Sequence, residues 1–232
     1  MNSWHTGPRA AFDLETTGRD PHSARIVTAS IVLVDAAGQP LQEREWLVDP
    51  GVEIPAEAAA IHGISTERAR SEGLPAALAT AGIAEALNGY FDAGIPVMAF
   101  NAAYDFTVLA RECSRYGLPA PAAAPVIDPY VLDKQVDRYR RGKRTLGALC
   151  ELYGVRLDAA HTSAADALAT IGVADALARR YAELCIGAAE LHALQIDWCA
   201  QQAANFEAWL RRKDPEAVVD GVWPVRLMPA AV

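Results

Sequence analysis

The first fifty residues restrict the architecture most. The stretch "RAAFDLETTG" (9–18) is an apolar run that ends in a Thr-Thr-Gly turn. The stretch "ARIVTASIVLVDAAGQPLQEREWLVDPG" follows, with β-branched residues on both arms of Ala36-Ala37-Gly38. Period-two alternation with a turn between the arms predicts strands, so residues 10–49 form a three-strand meander. "PAEAAAIHGIST" is a short irregular or helical connection, and the spacing over 74–92 is helical. "IPVMAFN" (95–101) is another apolar strand, and a helix over 102–117 is stopped by Gly117 and Pro119. "APVIDP" reads as a short fifth strand, and 129–139 and 145–153 as helices around a basic loop. A long helix over 162–183 is opened by Thr162 or Ser163, and an amphipathic helix over 187–212 closes the series. This order predicts an α/β protein with a mixed five-stranded sheet flanked by helices and an extra C-terminal helix.

With 232 residues, 52% hydrophobic and 22% charged, the chain has the composition of a globular protein with a sizeable core. Its formal net charge of −8 argues against a protein that coats a nucleic acid by phosphate neutralisation alone. Any nucleic-acid contact is therefore local. Cys113, Cys150, Cys185 and Cys199 are far apart and form no C-x-x-C, which disfavours a zinc site or a disulfide scaffold. Reduced thiols in a cytoplasmic protein are the expectation. The N-terminus lacks a signal-peptide apolar region, and no apolar run approaches the roughly 18 residues a membrane span needs.

Asp13 and Glu15 are one residue apart at the end of the first strand, so both point to one face while Leu14 points to the other. Two carboxylates on one face raise each other's pKa unless a cation lies between them, and a hard divalent ion prefers such oxygen ligands. Ending the strand in solvent is the alternative for any lone D-x-E. Asp105 lies in the first turn of the helix after strand 95–101, with Asn101 as its cap, and Asp166 lies in the first turns of the 162–183 helix. Each separately reads as an acid favoured by a helix dipole.

Together, "FDLETTG", "IHGIS", "NAAYDFTVL", "KRTLGALCELYGV" and "HTSAADALAT", in that order from residue 9 to about 180, resemble the DEDDh 3′–5′ exonucleases. That family includes the proofreading epsilon subunit of bacterial DNA polymerase III. The resemblance implies a ribonuclease-H-like fold and two divalent ions, Mg²⁺ or Mn²⁺, held by Asp13, Glu15, Asp105 and Asp166. It also implies His161 as general base. Two ions about 3.5–4 Å apart would supply a nucleophile at neutral pH and stabilise the leaving oxygen. At a helix N-terminus the dipole favours a neutral imidazole, whereas nearby carboxylates favour the charged one; for His161 the two pull in opposite directions.

The same resemblance gives Thr16, Thr17 and His62 a role in holding the terminal nucleotide, with Asn101 and Tyr104 flanking Asp105. Leu14 to Thr17 would pass their backbone close to the 3′ end, with Gly18 allowing the turn. The expected partner is nucleic acid with a free 3′ end, DNA favoured over RNA, with a DNA polymerase or repair complex as a further partner and no membrane. The loop "RYRRGKRT" offers Arg138, Arg140, Arg141, Lys143 and Arg144 either to a phosphate backbone or to solvent. Residues 1–184 are expected to form the exonuclease domain. Residues 185–232 form a helical extension whose Trp198, Phe206 and Trp209 either pack back on that domain or dock a partner.

Overall fold

The computed structural model describes residues 3–157 and 162–227. A 3₁₀ turn at Trp4–Thr6 leads into the meander β1 (Arg9–Thr16), β2 (Ile26–Val34) and β3 (Pro40–Asp49). Helices α1 (Ala56–His62) and α2 (Thr66–Glu72) follow. Next come β4 (Leu74–Pro75), α3 (Ala76–Asp92), β5 (Val97–Met98), α4 (Ala102–Arg115) and β6 (Val126–Ile127). Helices α5 (Pro129–Val136), α6 (Leu146–Tyr153), α7 (Ser163–Arg180) and α8 (Ala188–Leu210) complete the chain.

The sheet has the order β4-β3-β2-β1-β5-β6. The meander pairs antiparallel, whereas β5 and β6 join β1 in parallel. This mixed sheet is the one expected, with six strands in place of five. The added strand is β4, two residues that pair with Val48 and Asp49 of β3. It is too short for any alternation, and Pro75 has no N–H to donate to a ladder. The helical spacing seen over 74–92 begins only at Ala76.

Period-two alternation along β1 sorts its residues between two cores. Ala10, Phe12 and Leu14 pack with Ile31 of β2 and with α3 and α4 through Ile83, Leu87, Phe106 and Leu109. Ala11 faces the other way and packs with Val32, Met98 and α7 through Val173, Ala174 and Leu177. Arg9, 2% exposed, fixes α7 on the same face by donating Nε–H to Asp175 at 2.9 Å.

Helix α8 lies on the β6 edge. The Gln195 side chain, fully buried, accepts from Asp128 N–H at 2.7 Å and donates to the Val126 carbonyl at 3.0 Å. The chain after α8 turns back over it so closely that a Cβ on Gly221 would come within 3.0 Å of the Ala200 Cα. Trp223, part of this return, is buried. Among the described residues, no helix is long and apolar enough to cross a membrane.

Candidate active site

The register of β1 on β2 places Asp13 opposite Ser30 and Glu15 opposite Thr28, so two hydroxyls share the face that carries the two acids. Ser163, at the start of α7, docks onto both of them, at 2.6 Å from Ser30 Oγ and 3.3 Å from Thr28 Oγ1. That contact brings the first turn of α7, and Asp166 with it, against the strand end. Carboxylate oxygens of Asp13, Glu15 and Asp166 lie within 4.8 Å of one another.

Asp105 joins from the opposite side of β1. Its Oδ1 accepts the Leu14 N–H at 3.2 Å, and its side chain is buried. Asn101 is the N-cap of α4 in the left-handed region (φ 61°), which Asn tolerates better than most residues. Its side chain makes no cap bond. The capping group is Asp128, which accepts the N–H groups of Asn101 at 2.9 Å and Ala102 at 2.8 Å. This carboxylate also caps α5 through Tyr130 N–H at 2.9 Å. Burial pushes its pKa up to about 6 even against those donors.

The acids repel one another in a half-buried space. Burial first, then Asp105, Asp166 and Glu15, hold the Asp13 carboxyl well above the usual carboxylate range. Burial and Asp166 push Glu15 up to about 7. Burial is also the main cause of the raised pKa of Asp105. Carboxylates this close cannot all ionise without a cation among them. An all-oxygen donor set with this spacing fits a hard divalent ion and offers nothing to a soft one.

Beside the cluster lies a cavity of about 500 Å³ whose walls include Leu14, Glu15, Thr17, Ile61, His62 and Tyr104. The Tyr104 hydroxyl donates to the Gly18 carbonyl and bonds Thr16 Oγ1, tying α4 to the turn after β1. Thr17 Oγ1 accepts Arg25 N–H at 2.9 Å, closing that turn from its far side. His62 is buried, and its Nδ1 accepts the Ile64 N–H at 3.2 Å, which leaves the proton of the neutral ring on Nε2. Burial lowers its pKa, and Nε2 makes no well-formed hydrogen bond among the described residues.

Thus Asp13, Glu15 and Asp166 meet at one point, Asp105 stands beside them, and Leu14, Thr16, Thr17, His62 and Tyr104 line the adjoining cavity. Asn101 is exposed at the mouth of a second cavity. His161 lies outside the described residues. The basic loop divides. Arg140 and Arg144 turn inward to the fully buried Asp133, Arg140 at 2.9 Å, whereas Arg138, Arg141 and Lys143 are exposed. Asp128 was missing from the sequence-derived set. The Asp-Pro pair at a strand end is a helix-start signature that marks it as the α5 cap, but its second role, on α4, arises only in the fold.

Solved structures of exonuclease I share this fold. One superimposes with a TM-score of 0.66 at 20% identity, covering 77% of this chain and 42% of that one. The zinc-bound E. coli exonuclease I with single-stranded DNA gives 0.65 at 19% identity, over 77% of this chain and 42% of that one. The E. coli protein with a dT13 oligonucleotide gives 0.63 at 19% identity with the same coverage, 77% and 42%. This chain therefore spans less than half the length of the exonuclease I chains it matches. No curated protein sequence matches it. The exonuclease family model (RNase_T) matches residues 10–174, a stretch that contains every acid of the cluster. The chain belongs to the exonuclease family.

Proposed function

We propose that the protein is a divalent-metal-dependent 3′–5′ exonuclease that removes 5′-mononucleotides from single-stranded DNA. The observation that carries this reading is the convergence of Asp13, Glu15 and Asp166 within 4.8 Å beside a nucleotide-sized cavity. Asp13, Glu15, Asp105 and Asp166 would hold two ions, Mg²⁺ or Mn²⁺. When bound, such ions neutralise the scissile phosphate and make water a competent nucleophile.

The chain's own residues do the rest. The 3′-terminal nucleotide enters the cavity between the β1 turn and α1. There the Leu14–Thr17 backbone, the His62 Nε2–H and the turn held by Tyr104 fix its sugar and base. Water attacks the phosphorus and His161 takes its proton, a role worth roughly 10²–10⁴-fold. The bond from phosphorus to the penultimate O3′ breaks. The released nucleotide keeps the 5′-phosphate, and the shortened strand receives a new 3′-OH. Single-stranded DNA is the favoured substrate because structural relatives were captured with it.

The test is a 5′-labelled single-stranded DNA and a matched RNA incubated with Mg²⁺ or Mn²⁺, and with EDTA, alongside the Asp13→Ala protein. A metal-dependent ladder shortening from the 3′ end, faster on DNA and lost in the variant, is expected. A faster ladder on RNA would reassign the substrate. Full activity of the chain alone supports a stand-alone enzyme over a subunit of a polymerase or repair complex. Inactivity of the folded protein on both nucleic acids would overturn the reading.

A further inference from the structure

The C-terminal half of α8 leaves two large aromatic rings uncovered. Phe206 and Trp209 are 51% and 52% exposed, and they stack on each other with centroids 5.8 Å apart and planes 12° from parallel. Trp198, three turns of helix closer to the N-terminus on the same α8, packs into both cores instead. The buried stripe of α8 runs through Leu191 and Gln195 to Gln202, whose side chain still reaches the Val131 carbonyl of α5 at 3.1 Å. Beyond Gln202 the stripe borders an open groove whose other wall includes Tyr130 and Lys134 of α5.

That groove has a volume of about 490 Å³. Lys134, Arg138 and Arg144 line it with Phe206, Trp209 and Asn205, and no carboxylate does among the described residues. Three cations and no acid at one place is a strong local reversal in a chain of net charge −8. Arg144 is held by Asp133. Lys134 and Arg138 make no salt bridge among the described residues; Lys134 Nζ sits 4.8 Å over the Tyr130 ring, and Arg138 is exposed. Stacked rings with flanking cations and amides suit a base with its phosphates, since every base presents a π-face.

The groove lies toward the same end of the sheet as the reaction centre. Strands β1, β5 and β6 are parallel, so their C-terminal ends share one edge of the sheet. Along that edge stand, in order, the acids of β1, Asn101 after β5, and Asp128 with Tyr130 after β6. Two strand spacings cover about 10 Å. A cavity of about 200 Å³ reaches Asn101 at one side and shares Tyr130, Lys134, Gln202 and Phe206 with the groove at the other. Its surface acid, Asp220, faces Arg226 at 4.0 Å.

We propose that the α5–α8 groove is a second binding site for the single-stranded substrate, a few nucleotides from its 3′ end. One base stacks on the Phe206–Trp209 pair, and the adjoining phosphates lie against Lys134 and Arg138. This site rests on the nuclease reading above and extends it to substrate length: a strand long enough to reach α8 is bound better than a short one. It also explains how an acidic protein grips a polyanion, by one local patch.

Two readouts test it. Fluorescence anisotropy of a labelled oligothymidylate of about 20 nucleotides, in EDTA, measures binding without any turnover. Phe206→Ala with Trp209→Ala should weaken it by about 5- to 150-fold, the span of one base–aromatic stack. Lys134→Gln with Arg138→Gln should lower the magnitude of the salt slope by roughly 0.7 for each phosphate no longer neutralised. In turnover assays the aromatic variant should raise KM on the long strand while a trinucleotide is cut at the wild-type rate. Wild-type affinity and salt slope in both variants would overturn the proposal, as would equal losses on long and short substrates. Binding of an Asp/Glu-rich peptide through Trp209, with no effect of the variants on DNA, would make the groove a protein-docking site and equally overturn it. Tight, groove-dependent DNA binding by a protein that cleaves nothing would support the site and refute the nuclease.

Discussion

The backbone N–H of Leu14 donates to Oδ1 of Asp105 at 3.2 Å, across 91 residues of chain. It is the bond that fixes the α4 acid to the strand that bears Asp13 and Glu15. Because the acceptor is a carboxylate oxygen that an amide also possesses, charge and geometry can be separated there. Asp105→Asn keeps the Leu14 bond and removes one negative charge from a crowded set. Its activity should fall by on the order of 10²–10³-fold or more, the scale seen when one charge-stabilising group is lost. Its melting temperature should hold or rise, because burial and like charge oppose the ionised form. Asp105→Ala should lose both activity and stability. Thermal melts beside the nuclease assay separate the two.

The cluster also sets a pH dependence. Glu15, pushed up to about 7, has a folded pKa above its unfolded value, as does Asp13. Glu15 stabilises the fold fully below about pH 4.5 and loses that contribution as pH rises through about 7, and the raised pKa of Asp13 acts in the same direction. The cation-free protein should therefore melt at lower temperature near pH 8 than near pH 5.5 on account of these groups. A divalent ion must displace their protons, so it binds more tightly at the higher pH. The rise in melting temperature on adding millimolar Mn²⁺ or Mg²⁺ should grow from about pH 5.5 to about pH 8. Asp13→Asn should flatten it. A shift of equal size at both pH values would place the ion elsewhere.

Tyr104 anchors the turn that forms one wall of the cavity. Its hydroxyl bonds Gly18 and Thr16, and burial pushes its pKa up to about 12, so it stays a neutral donor throughout any useful assay range. Tyr104→Phe removes both bonds and keeps the ring. Stability should fall by about 0.5–1.5 kcal/mol. KM for a 3′ end should rise about 3- to 10-fold with kcat changed much less, since the turn shapes binding rather than the phosphate. A kcat loss with KM intact would instead assign the hydroxyl to the chemical step.

Where local rules decide, the sequence was enough. Alternation along β1 to β3 exposed the meander, and the same period put Asp13 and Glu15 on one face and Leu14 on the other. What it lacked were partners supplied by distant segments. Arg140 and Arg144 read as free cations because nothing in "RYRRGKRT" reveals that Asp133 is buried beneath them. Asn101 read as a cap because it precedes the helix, whereas the capping oxygens arrive from Asp128. Trp198, Phe206 and Trp209 share an amphipathic pattern, and only the fold shows that the first packs into the two cores while the other two stay half exposed beside an open groove.

Asp128 offers the sharpest test of how the extension supports the site. One carboxylate accepts from Asn101, Ala102 and Tyr130, and also from Trp223 Nε1 at 3.3 Å, so it joins the starts of α4 and α5 to the returning C-terminal chain. In Asp128→Asn one oxygen becomes an N–H₂ facing backbone donors in a buried place. At least one helix N-terminus then loses its partner, at a cost of roughly 2–4 kcal/mol. Because α4 carries Tyr104 and Asp105, activity should drop well before the protein unfolds. Trp223→Phe should cost less, since it removes one long bond and keeps the aromatic packing. If Asp128→Asn melts like the wild type and cleaves like it, the start of α4 is held by the sheet alone, and the extension has no part in placing Asp105.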